Sequence, residues 1–165
     1  MTGAVRLHAQ DIDDLAVISA LVQDAALFVG EMAYLPSQKR FVAALARFAW
    51  EELDDVVEKK RGFLSRLFNR ADPEPFARTR ALLHIDNVSD VKVRGFGLEE
   101  KAKVLDLLAL TATPLGDDPS GPFALQLECA DNAAVRLDVE ALDIYLTDKG
   151  EPWKTPVRPD HKLDD

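Results

Sequence analysis

Cysteine is nearly absent from this chain. Cys129 is the one thiol in 165 residues, which excludes an internal disulfide and fits a reducing compartment. Long apolar runs are missing too: the best candidate, LAVISALVQDAALFV, is broken by Gln23 and Asp24 and falls short of the roughly 18 residues of a membrane span. The opening MTGAVRLHAQDIDD lacks the apolar centre of a secretory signal. These absences point to the cytoplasm. Positive charge is scarce, with 20 Lys and Arg against 29 Asp and Glu, a net charge of -9 and a pI near 4.8. Such a surface repels phosphate and argues against broad nucleic-acid binding. Glycines never gather into a phosphate-binding loop, because Gly95-Phe96-Gly97 lacks the third glycine. No serine sits in a nucleophile elbow. No cofactor is expected, and the balance leans away from an enzyme.

What is present suffices for one domain over 1–165. The 47% of hydrophobic residues can fill a core without metal or disulfide help. Charge is uneven: residues 59–80 carry Lys59, Lys60, Arg61, Arg66, Arg70, Arg78 and Arg80 against only Asp72 and Glu74. That stretch is a basic island, inside an insertion of about 54–79, on an acidic body.

The chain opens with a helix signal. Asp11 is an N-cap, Asp13 and Asp14 favour the positive helix end, and Ile12, Leu15, Ala16, Ser19 and Val22 approximate one face, so a helix is expected over about 11–22. ALFVGEMAYL reads as a strand with a bend at Gly30, followed by a turn at Pro36–Lys39. RFVAALARFAWEE fits either a strand or a helix. Strand is favoured, with the wholly apolar face of Val42, Ala44, Ala46, Phe48 and Trp50 expected to be the buried one. RALLHIDNVSDVKVRGFG gives two strands about Asp86-Asn87, KAKVLDLLALTATP another, and FALQLECADNAAVRLDV a hairpin. Val139, Leu142, Tyr145 and Leu146 take helical spacing, so a C-terminal helix is expected, ended by Gly150 and Pro152. An extended proline-rich tail of about 151–165 closes the chain.

Short connections favour antiparallel pairing. The expected fold is α+β and mostly antiparallel β: about seven strands in a curved sheet or small barrel, with N-terminal and C-terminal helices. This element order is analogous to a pleckstrin-homology-like barrel plugged by its last helix, an analogy that carries no function.

DIDDLAVISALVQDA, RFVAALARFAWE, RALLHIDNVSDVKVRG, VLDLLAL and AVRLDVEALDIYLTDKGEPWKTPVRPDH together resemble an uncharacterised alphaproteobacterial family, domain of unknown function 2948. The resemblance spans nearly all of the chain outside the basic insertion and the DDPSGP loop. It implies a small cytoplasmic bacterial protein and brings no activity, cofactor or site.

Several residue groups are candidates for chemistry. In the insertion, Lys59, Lys60, Arg61, Arg66 and Arg70 with Phe63 and Phe68 can meet an acidic partner or an anionic membrane, or form a solvated loop. His84 and Asp86 share a strand face, but two ligands are too few for a metal, and His8 and His161 are distant in sequence. Cys129 lacks a neighbouring base and reads as core filler. Trp153, with Trp50, suits either an interface anchor or core packing. The favoured reading is a non-enzymatic binding or adaptor domain for a protein partner, using Trp153, His161 and the insertion. The alternatives are a small-molecule or catalytic pocket with convergent carboxylates at the barrel mouth, and peripheral membrane attachment through residues 59–70.

Overall fold

The computed structural model describes residues 5–48 and 76–155. In chain order the elements are β1 (Arg6–Ala9), α1 (Ile12–Leu21), β2 (Ala25–Leu35), β3 (Arg40–Phe48), β4 (Phe76–Asp86), β5 (Val88–Arg94), β6 (Val104–Pro114), β7 (Phe123–Cys129), β8 (Ala134–Val139) and β9 (Ile144–Thr155). Mostly antiparallel β structure, as expected, forms a single curved, unclosed sheet of order β1-β9-β4-β3-β2-β6-β7-β8-β5.

Helix α1 starts where its capping chemistry places it. Asp11 Oδ1 accepts the Asp14 N–H at 2.8 Å, and Asp13 and Asp14 occupy the first turn. Leu15, Ile18 and the following Val22 are buried. Ser19 Oγ accepts the Leu110 N–H at 3.0 Å, which fastens the helix to β6. The bend expected at Gly30 is a register shift between Leu27 and Met32 in the β2–β3 pairing. A Cβ on Gly30 would lie 2.6 Å from the Lys101 carbonyl oxygen, so glycine is what lets the turn before β6 lie against this bulge. Val29 N–H bonds Lys103 O at 3.0 Å in the same place.

Two strand pairs bend together at one corner. β4 continues into β5 through Asn87, whose φ of 64° suits an asparagine; β8 continues into β9 through Glu140–Asp143. β4 pairs with β9 (Ile85↔Ile144) and β5 with β8 (Val88↔Val139). The four strands thus form one ribbon that bends as it passes from one part of the sheet to the other. The corner is held by Asp86 N–H to Asp143 O at 3.0 Å, Glu140 N–H to Asn87 O at 2.9 Å, and Val88 N–H to Lys39 O at 2.9 Å. Inward residues from α1 and from strands across the sheet form one apolar cluster, including Leu27, Phe41, Leu45, Leu83, Ile85, Leu107, Leu125, Leu137 and Ile144.

Three sequence expectations need correction. The C-terminal helix does not form: Val139 ends β8 and Ile144–Thr155 is β9. The helical spacing of Val139, Leu142 and Leu146 arises because the corner interrupts two alternating strands. The pleckstrin-like analogy rested on that helix as a plug, and the segment is strand. β9 continues to Thr155, and the rest of the tail expected over about 151–165 lies outside the described residues. Finally, β3 buries its other face: Phe41, Ala43, Leu45 and Arg47 are at most 1% exposed. Arg47 points inward because Asp148 of β9 receives it. Arg47 Nε and Nη2 donate to Asp148 Oδ1 and Oδ2 at 2.9 and 2.8 Å, Nη1 donates to Phe48 O at 3.0 Å, and Val5 N–H donates to Asp148 Oδ2 at 2.9 Å. Thr79, opposite Arg47 in the β3–β4 register, is buried, and its hydroxyl has no hydrogen-bond partner among the described residues. The helix α1 that does form follows a strand, β1, that the sequence reading did not contain.

Candidate functional site

Pairing across β1, β9, β4 and β3 puts His8, Tyr145, His84 and Val42 side by side in one row. Their chain neighbours Ala9, Ile144, Ile85, Phe41 and Ala43 are all buried in the core, so alternation turns the row to the outer face. The His8 and Tyr145 rings stack, with centroids 4.1 Å apart and an interplanar angle of 6°. His84 lies against the same phenol at 5.2 Å, tilted by 44°.

The corner supplies a carboxylate to each imidazole. His8 Nε2 lies 2.5 Å from Asp143 Oδ1, and His84 Nε2 lies 3.1 Å from Asp86 Oδ1. An ionised carboxylate only accepts, so each Nε2 is the donor. Arg40 Nε also donates to Asp86 Oδ1, at 2.9 Å. Burial alone would raise the Asp86 carboxyl, but the hydrogen bonds and charges of Arg40 and His84 outweigh it and hold it below the ordinary value of 3.8. Tyr145 is pushed the other way. Desolvation, the negative charges of Asp143 and Asp86, and a hydrogen bond to Asp143 raise its hydroxyl above the usual 10.0, against a smaller opposing effect of Arg40. The phenol is therefore neutral across the physiological range.

The result is a stacked, polar-tipped aromatic row whose rings are held by charged bonds. Its side chains are between 23% and 38% exposed: His8 38%, His84 27%, Asp143 25%, Asp86 23% and Arg40 38%. The same bonds that hold the imidazoles occupy their Nε2 atoms, and no group of three or more His, Cys, Asp or Glu suited to a metal ion occurs among the described residues.

The sequence-derived candidates fare unequally. His84 and Asp86 do share a face and a bond, and the structure brings His8 to them through β1 and β9. Tyr145, Asp143 and Arg40 were missed as site residues. Lys59, Lys60, Arg61, Phe63, Arg66, Phe68, Arg70 and His161 lie outside the described residues, as does Trp50. Trp153 is in β9, its backbone opposite Arg78. Cys129 is 4% exposed; burial first, then the charges of Glu128 and Asp106, push its thiol up to about 11, which denies it thiolate character at neutral pH. An open groove of about 480 Å³ lies between the start of α1 and the loop before β7, lined by Gln10, Asp11, Asp13, Ser120, Phe123 and Leu142 among others. Asp11 is committed there to capping, and Asp86 and Asp143 do not line the groove.

No helix among the described residues is long and apolar enough to cross a membrane. No curated protein and no solved structure matches the chain. A family model described as "Protein of unknown function (DUF2948)" matches residues 5–161.

Proposed function

We propose, for a chain that belongs to the DUF2948 family, a non-enzymatic binding or adaptor role in the cytoplasm, recognising a protein partner through the His8–Tyr145–His84 row with Asp86, Asp143 and Arg40 at its corner end. The observation that carries this reading is the stacked, half-buried Tyr145, locked between two imidazoles that are themselves tied to carboxylates. Tyrosine and arginine are the side chains on which protein interfaces most often turn. A ring already fixed in place loses little freedom on binding. The row lies on an outer sheet face rather than in a cleft, which suits a macromolecule better than a small substrate. Of the two carboxylates of lowered pKa, Asp86 lies outside the groove at α1 and Asp118, beside it, is exposed and held by the hydrogen bonds of Ser120 rather than by burial in a pocket, so the small-molecule reading has weaker support. Trp153, His161 and the basic residues 59–70 extend the proposal as additional contacts, and an alphaproteobacterial source is the reading the sequence resemblance favours.

The test is affinity capture from a bacterial lysate with the wild type and with Tyr145→Ser, after circular dichroism shows both to be folded. The proposal expects a protein retained by the wild type and lost by the variant. Equal retention by both would remove the row from recognition; no retained protein in either would remove the binding role.

A further inference from the structure

The strand β5 ends the sheet and, among the described residues, pairs only with β8. Beyond Val88, whose N–H and C=O are taken by Lys39 O and the Tyr34 hydroxyl, its far side carries backbone N–H and C=O groups without a ladder partner among the described residues, which is a template for another strand. Natural edges commonly repel such additions with charge of one sign. Here the signs differ: Asp90 is followed by Lys92 on the same exposed face, their side chains 51% and 67% exposed and 3.6 Å apart at Asp90 Oδ2 and Lys92 Nζ. Val91 and Val93, on the opposite face, are half-buried against the core.

That pattern is complementary to itself. We propose that β5 is the site at which a second copy of this chain adds, antiparallel and centred on Val91, to continue the sheet across a two-fold axis. In this register Asp90 faces the partner's Lys92 and Lys92 faces the partner's Asp90. Val91 meets the partner's Val91, so the apolar centre stays on the core side, while the bulge between Val88 and Asp90 leaves Ser89 exposed at the end of the contact. Sliding the strands to the neighbouring face-preserving registers sets Asp90 against Asp90 or Lys92 against Lys92, which cross-strand electrostatics disfavour. A two-fold contact of this kind uses one patch twice. It is independent of the His8–Tyr145–His84 row. A seven-residue strand offers a small contact, so the association is weak and belongs to high protein concentration.

Sedimentation equilibrium on the full chain up to millimolar concentration tests it. A reversible monomer–dimer equilibrium is expected for the wild type. Asp90→Lys, at an exposed position that leaves the fold intact by circular dichroism, places lysine against lysine twice and is expected to weaken dimerisation by about tenfold or more. Adding Lys92→Asp to that variant exchanges the charges, restores the complement and recovers the wild-type constant to within about threefold. Hydrogen exchange at the β5 amides slows as the dimer forms. A chain that is monomeric throughout, a dimer indifferent to Asp90→Lys, or a double variant no better than the single would each overturn the proposal.

Discussion

Replacing Arg47 by methionine tests the physical basis of the fold at its most charged interior point. The wild-type guanidinium is 0% exposed and its partner carboxylate 5%, and the two share a fork of bonds at 2.9 and 2.8 Å. Methionine matches the length of the stem and removes the charge. The Asp148 carboxylate then keeps only the Val5 N–H among its described hydrogen bonds while remaining between β3 and β1. Breaking a buried pair from one side costs about 3–5 kcal/mol, because the stranded charge has lost its solvent and gained nothing. For a chain of this size each kcal/mol moves the melting temperature by about 2–4 °C, so Arg47→Met should melt about 6–20 °C lower. The assay is thermal and urea denaturation followed by circular dichroism. The discriminating variant is Arg47→Met with Asp148→Leu, which removes both charges and should recover most of the loss. A single variant losing under about 1 kcal/mol, or a double variant no more stable than the single, would refute the reasoning.

Three further outcomes follow from named groups. Cys129, with its thiol at about 11 folded against 9.0 as the ordinary value, contributes stability that is full below the unfolded value and lost as pH rises towards 11; the loss is about 3 kcal/mol, absent in Cys129→Ala, and native protein at pH 7 should resist a thiol reagent that labels the urea-unfolded chain. Ser19→Ala leaves the Leu110 N–H without its acceptor and should cost about 1–3 kcal/mol, read as a shifted urea midpoint with faster hydrogen exchange in α1 and β6. Asp86, held below its ordinary value by Arg40 and His84 against the effect of burial, contributes stability that is present above its unfolded value and lost as pH falls through its folded one; Asp86→Asn should flatten this part of the acid limb of the stability curve.

The fold was readable wherever one face of an element was consistently apolar. The capped helix after Asp11, the two strands about Asn87, β6 and the β7–β8 hairpin all show their period over several residues, and local chemistry agrees with tertiary context there. Failures have two causes. A residue's polarity misreports its face when its partner is distant: Arg47 marked the wrong side of β3 because Asp148, about a hundred positions away, neutralises it. A period also misleads where a strand is broken at a corner, and so Leu142, Tyr145 and Leu146 imitated a helix. The candidate site was half legible. His84 and Asp86 could be placed on one face by alternation. His8 and Tyr145 joined them only through the pairing of β1 with β9, and β1 is four residues long, too short for a periodic signal.

The most direct check on the recognition surface is hydroxyl-radical footprinting of the wild-type chain, free and bound to the protein that it captures. Slower oxidation of Tyr145, His8 and His84 in the complex is the result predicted here. Unchanged oxidation of those three rings, with protection confined to other strands, would contradict it.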